Sequence, residues 1–358
     1  MTARNPFTII SPEDLDANMA NQLFVEIYSD FPQVQNAGHS MIVGARGSGK
    51  SMIFRCLLPD VLKLTRNCQL KDLEFLAFHI PIKNTSLKIT ELNMLDKHHA
   101  SFMINEHFFV LNITMQILQA LMSMGDTDIS FNEDVFASFL QVFNRRLRLQ
   151  GCKEPCTVVA DKAKDYFKQL LEFFEDMHAD FMCYLLGIND PENVTAYRYE
   201  LPILSFQGFV VPMLKALQDF PEINKKNIYL FIDDADNLNK TQTKILNSWL
   251  SCRTAPSICL KVSTQIGNYK SFITTNGTLV EAPHDFQEIN ISEKYTTRKS
   301  RYYDMIRKIL ENRLQIAGIK DKTPEEFFPV YIPQEEAIEK EKNVLLMRGP
   351  RLGAEIVR

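Results

Sequence analysis

The chain lacks the features that would send it out of the cell, into a bilayer, or onto DNA by charge alone. No apolar run approaches the ~18 residues that span a membrane. Residues 1–16 hold no apolar core followed by small residues, and acids appear by Glu13, so the sequence predicts no secretory signal. Positive charge is not in excess. There are 40 Lys and Arg against 44 Asp and Glu, a net charge of −4, whereas a chain that binds nucleic acid by charge is strongly basic. The seven cysteines are odd in number and scattered, which does not suggest a disulfide framework. A cytoplasmic protein is therefore expected. Cys152 and Cys156, spaced C-x3-C, are the one close pair, and no second half of a zinc site lies near them. The adjacent pair His98 and His99, with His107, is equally poor, because neighbouring helical side chains point about 100° apart. There is no internal repeat and no low-complexity tract.

What remains is an ordinary globular composition, 45% apolar and 23% charged, with length for about two domains. Ser11-Pro12-Glu13-Asp14 predicts a helix start, with Ser as N-cap and Pro in the first turn. The stripe Leu15, Met19, Leu23, Ile27 continues it until Asp30-Phe31-Pro32. Residues 40–43 read as a strand, followed by a glycine-rich turn and a helix over 50–64. Further strands are expected over 75–82, 228–232, 258–262 and 286–291, with 228–232 fully apolar and so interior. Helices are expected over 242–252 and 300–318. Strands alternating with helices predict an α/β sandwich on a mostly parallel sheet. The interval 83–227 far exceeds the ~30 residues of one crossover, which predicts a helical insertion over about 92–205. Within it, Asp161 can cap a helix whose face carries Phe167, Leu170, Phe174, Met177, Phe181 and Leu185, ending at Gly187.

Gly44-Ala45-Arg46-Gly47-Ser48-Gly49-Lys50-Ser51 matches G-x-x-x-x-G-K-[ST] and lies between an apolar strand and an amphipathic helix. Chance produces this match in about one chain of such length per hundred, and the flanking elements reduce that further. Each residue type has a reason. The glycines let consecutive backbone N–H groups turn inward and cradle phosphate oxygens. Lys50 sets a charge on the β- and γ-phosphates, the Ser51 hydroxyl ligates Mg²⁺, and the helix entered through Met52 adds its positive end. Gly44 through Met52 are therefore candidate ATP-binding residues. The strand 228–232 runs into Asp233-Asp234. A carboxylate ending the adjacent strand can hold Mg²⁺ opposite Ser51, and Asp233 is assigned to it. Asp234 stands where a Glu often polarises the attacking water, one methylene short, so slow hydrolysis is expected.

Ile232-Asp233-Asp234-Ala235-Asp236-Asn237-Leu238 resembles the AAA+ ATPases, and within them the origin-recognition-like (initiator) clade and its bacterial relatives. The 12–27 segment, Trp249-Leu250 with Arg253, and 302–314 share the look. The resemblance covers the ATPase core and does not reach 92–205. It implies a three-layer αβα P-loop sandwich with a five-stranded parallel sheet over 1–291, and a partial helical lid over 292–358. It implies a polar sensor among Ser263, Thr264 and Gln265, for which Thr264 is chosen, and a second sensor in the lid, Arg351. The arginine finger of such proteins has no counterpart over 265–285, leaving Arg253, Arg298 or Arg301. Arg253 is taken as the candidate. The chain stops seven residues beyond Arg351, where such proteins continue.

Two functions fit these residues. One is an ATP- and Mg²⁺-driven switch or machine, oligomeric or joined to a protein effector; the resemblance points to DNA transactions or defence against phage. The other is a non-hydrolysing ATP-dependent scaffold that recruits a protein through the insertion. A small-molecule kinase is disfavoured by the acidic pair. The basic cluster Arg145, Arg146, Arg148 reads as a solvated helix face, because no aromatics interleave with it.

Overall fold

The computed structural model describes residues 11–25, 31–83, 92, 101–188, 202–252, 254–292, 299–319 and 323–327. The chain divides into two compact units, Ser11–Arg301 and a second made of Met1–Ile10 with Tyr302–Arg358. In the first, five strands form one sheet: β1 (Ser40–Gly44), β2 (Phe75–Pro81), β3 (Asn227–Asp233), β4 (Ile258–Gln265) and β5 (Gln287–Asn290). Their spatial order is β2-β3-β4-β1-β5, and every neighbouring pair is parallel. The expected α/β sandwich on a five-stranded parallel sheet is what forms. One expectation is corrected: β3 does not adjoin β1, because β4 lies between them. The apolar text of β3 is explained by its interior place, and all but its first residue are buried.

The helices before and after the glycine loop differ from their periodicity. The N-terminal stretch begins as a single 3₁₀ turn, Pro12–Asp14, and Ser11 makes no capping bond. Leu15 is extended, and the helix α1 (Ala17–Leu23) starts at Asp16, whose side chain accepts from the Met19 amide (2.8 Å). Asp16, and not Ser11, is the residue whose side chain caps the helix, so the stripe begins a turn late. Pro32 does not end a helix but lies in the first turn of α2 (Phe31–Gln35). The helix expected over 50–64 is two: α3 (Lys50–Cys56) and α4 (Pro59–Arg66). Pro59 has no N–H and pushes Leu58 out of the helical region, so the chain breaks there. Phe54 on α3 stacks on Phe231 of β3 at 4.6 Å, fixing the helix to the sheet.

The long interval holds α5 (Ser101–Asp128, broken at Gly125), α6 (Glu133–Leu149) and α7 (Ala163–Ile188), before α8 (Val211–Leu217) returns the chain to β3. The six residues forecast for the buried face of α7 are all buried. The helix begins at Ala163, two residues past Asp161, and runs on through Gly187. Phe136, Phe139 and Phe143 of α6 meet Phe167, Phe174, Phe209 and Phe220 in one aromatic cluster, each ring stabilising the fold by about 1.5–3 kcal/mol through burial. The stretch is not a mere appendage. α5 packs on β2 and on α9 (Lys240–Leu250), where Phe109 meets Trp249 at 4.7 Å and Glu106 accepts from the Trp249 indole (3.0 Å).

Residues Ser101–Gly125 correct the expectation that nothing here is long and apolar enough to cross a bilayer, since this helix qualifies by length and composition. Yet 61% of that window is buried inside the protein, as in the core helix of a globular fold. Two of its buried polar members are bonded: His107 accepts from the Leu204 amide, and Asn112 bonds to the Phe108 carbonyl one turn back. α10 (Lys299–Ile316) matches the expected 300–318, and α11 (Pro324–Phe327) follows it.

Candidate nucleotide site

The glycine loop leaves the C-terminal end of β1 and enters α3. Gly49 precedes the helix at φ 92°, in the left-handed region that a side chain would strain. Gly44 is demanded by space: a Cβ there would lie 2.5 Å from Ser48 Oγ and 2.6 Å from Ile291 Cγ1. The Ala45 amide donates to Ser292 Oγ at 2.7 Å, tying the loop to the residues after β5. Arg46 is exposed and Met52 half-buried. Lys50 is buried at the first position of α3, with Nζ donating to Gly44 O (3.0 Å) and Ala45 O (3.1 Å). Burial lowers its pKa, opposed by the carboxylates of Asp234, Asp236 and Asp233.

Asp233 ends β3 and is 1% exposed. Burial alone would raise its carboxyl. The hydrogen bond and charge of His79, with the hydroxyls of Ser263 and Ser51, outweigh burial and hold it below its ordinary value. The contact with Ser51 matters most for chemistry, because it brings together the two side chains that the sequence assigns to Mg²⁺. Asp234 sits at φ 56°, a left-handed conformation that Asp tolerates better than most residues. Its amide donates to Ser263 Oγ (2.8 Å) and to Asp233 Oδ1 (3.1 Å), which holds the turn. Burial, then the charges of Asp233 and Asp236, raises the Asp234 carboxyl, while Lys50 and Lys83 oppose the shift.

Of the three residues offered for the sensor, the one that reaches Asp233 is Ser263. Asp233 and Ser263 follow the paired Ile232 and Val262 along β3 and β4, and the Ser263 hydroxyl donates to Asp233 Oδ1. Thr264 is one residue on. Its side chain therefore takes the opposite face of the sheet, where it is buried and bonds to Gln265 O (3.4 Å). Two participants, His79 and Glu13, were not foreseen, and Ser263 was named among the sensor candidates but not chosen. Ser263 needed the strand register. His79, on β2, reaches Asp233 Oδ2 with Nε2 at 3.2 Å because β2 adjoins β3. Glu13, half-buried in the 3₁₀ turn, lies near both; burial raises its pKa, the His79 charge lowers it, and Asp233, Asp234 and Asp14 raise it.

Arg253, Arg298 and Arg351 lie outside the described residues, as do His98, His99 and the side chain of Arg301. Cys156 is buried and Cys152 donates its Sγ hydrogen to Glu154 O (3.0 Å). Neither joins a metal-capable group; among the described residues that group is Glu13, His79 and Asp233. Arg145 and Arg148 are exposed on α6, as expected of a solvated face, while Arg146 is half-buried.

A parallel sheet with β4 between β1 and β3, a glycine loop that opens a helix, and a carboxylate pair at the end of β3 define an α/β P-loop nucleotide-binding protein. The family model of ORC-CDC6-like proteins matches residues 5–349, and the chain belongs to that family, AAA+ ATPases of the initiator type. The match runs through 92–205, which the sequence resemblance did not reach. No curated protein matches the chain.

Proposed function

We propose that this chain is a nucleotide switch that binds ATP with Mg²⁺ in the 44–52 loop and hydrolyses it slowly. The observation that carries the reading is the meeting of Ser51 and Asp233 beneath Lys50, with Asp234 beside them. The backbone of 45–50 and the Lys50 ammonium bind the phosphates. Lys50 exchanges its two loop carbonyls for phosphate oxygens. The donors fit Mg²⁺: a hydroxyl and a carboxylate are hard oxygen ligands. When bound there, Mg²⁺ supplies charge that neutralises the β- and γ-phosphate oxygens. Asp234 orients the attacking water and takes its proton, and its raised carboxyl is a stronger proton acceptor than an ordinary Asp. Ser263 and His79 orient Asp233. Thr264 faces away from this carboxylate, so Ser263 takes its place in the reading.

The output passes to a protein partner or a second copy of the chain, in a DNA transaction or in defence against phage. A net charge of −4 argues against direct DNA binding as the main output. Seven free thiols suit a reducing compartment, and we assign the chain to the cytoplasm. The core of 1–291, with a lid after it, remains our division of labour, and Arg351 and Arg253 remain our candidates for the lid sensor and the finger. Phosphate release tests the reading: wild type releases phosphate from ATP with Mg²⁺, and Lys50→Ala does not. Equal release from both would leave the scaffold reading in its place.

A further inference from the structure

The carboxylate that faces the glycine loop also belongs to a second group of ligating atoms. One ligand atom from each of Glu13, His79 and Asp233 lies within 4.8 Å of the others. These residues come from three separate elements: the 3₁₀ turn, β2 and β3. The turn is held in place. Arg55 on α3 donates through Nε and Nη2 to Leu15 O (3.1 and 2.9 Å) and forks onto Asp60 (2.9 and 2.7 Å). Glu13 is thus carried by an anchored segment.

Neighbouring ligands on one octahedral ion with bonds of 2.1 Å stand about 3 Å apart. His79 Nε2 and Asp233 Oδ2 are already 3.2 Å apart. Bringing the Glu13 carboxylate onto the same centre takes a movement of about an ångström or two, within reach of a side-chain rotation. A cation also relieves the approach of two carboxylates in a half-buried place, where their repulsion is weakly screened. The donor set limits the choice of ion. Two carboxylates alone would suit Mg²⁺ or Ca²⁺, while an imidazole moves preference toward the transition metals. Mn²⁺ accepts both donor types.

The geometry points to a divalent-cation site built by Glu13, His79 and Asp233, filled without nucleotide and preferring Mn²⁺ to Mg²⁺. The site shares Asp233 with the ATP reading but does not depend on it. It places a cation beside Ser51 before any phosphate arrives. It also gives the segment ahead of the glycine loop a part in metal binding that its sequence does not announce.

The test is a Mn²⁺ titration of the full chain without nucleotide, followed by electron paramagnetic resonance. One Mn²⁺ per chain is expected, with nitrogen modulation of its spin echo from the His79 ring. Mg²⁺ should displace it only in at least tenfold excess. Glu13→Gln and His79→Gln should each weaken Mn²⁺ about 10- to 100-fold, and His79→Gln should also remove the nitrogen signal. No stoichiometric Mn²⁺ without nucleotide, bound Mn²⁺ with no nitrogen signal, or displacement by equimolar Mg²⁺ would each overturn the proposal. The wild-type nitrogen signal decides even if a variant fails to fold. ATP binding by the same preparation is read separately, so failure of the nucleotide reading leaves the Mn²⁺ result standing.

Discussion

Replacing Ser263 by alanine probes the centre of the site with little change in volume. The hydroxyl serves two buried partners: it donates to Asp233 Oδ1 and accepts from the Asp234 amide at 2.8 Å. The amide keeps a second acceptor in Asp233 Oδ1 at 3.1 Å, so the main loss is one hydrogen bond to a buried carboxylate. Bonds to charged groups contribute about 1.5–3 kcal/mol. At about 2–4 °C per kcal/mol in a domain of this order, Ser263→Ala lowers the thermal midpoint by roughly 3–12 °C at neutral pH. The deficit also has a pH signature. A carboxyl held below its ordinary value stabilises the fold above that value and loses the contribution as pH falls through its own lower value. Asp233 is such a group, and the variant moves its carboxyl back up. The gap between wild type and Ser263→Ala is therefore full at pH 7 and shrinks below pH 3.8, the ordinary value. Scanning calorimetry at several pH values reads both effects. A gap under about 1 °C at pH 7, or one that grows in acid, would refute the account of Asp233.

Other outcomes follow from neighbouring geometry. Gly44→Ala puts a methyl group 2.5 Å from Ser48 Oγ; it should cost about 1–3 kcal/mol in urea unfolding and weaken ATP at least tenfold by calorimetry. Arg55→Met cuts the bonds to Leu15 O and Asp60, and limited proteolysis should then cleave residues 11–25 faster while α5–α7 stay protected. Burial, then the charge of His178, lowers His107 to about 3, so the fold resists its protonation. Stability should fall by up to about 1.4 kcal/mol per pH unit from pH 6.5 downward, and His107→Gln, which keeps an acceptor for the Leu204 amide, should flatten that slope. Native mass spectrometry with and without ATP should show a larger assembly with ATP.

The parts of the site that sequence revealed are those whose chemistry is local. The glycine loop, Lys50 and Ser51 lie within eight consecutive residues, and Asp233-Asp234 advertises itself by ending an apolar run. Strand positions were legible for the same reason, since interior parallel strands are apolar throughout. His79, and the choice of Ser263 over Thr264, were not, because each meets Asp233 through sheet order and register; Glu13 was not, because its 3₁₀ turn is brought to the end of β3 only by the tertiary fold. A shift of one residue along β4 exchanges Ser263 for Thr264 and moves the hydroxyl to the other face. Helix ends were misplaced where two signals competed. Two residues of similar capping ability, Ser11 and Asp16, stand five apart and it is Asp16 that caps, while Pro59 divides an apolar stripe that looked continuous. The long interval read as an insertion because no strand signal crosses it, yet α5 packs on β2 and works as part of the core.

The most direct test of the account is a single-turnover comparison of wild type, Asp234→Asn and Lys50→Ala, with ATP binding and phosphate release measured on the same samples. Asp234→Asn should bind ATP as tightly as wild type and release phosphate about 10²- to 10⁴-fold more slowly, the range for loss of a general base. Lys50→Ala should fail at both. Phosphate release that stays unchanged in Asp234→Asn would contradict the claim that this carboxylate pair, beside the glycine loop, hydrolyses ATP.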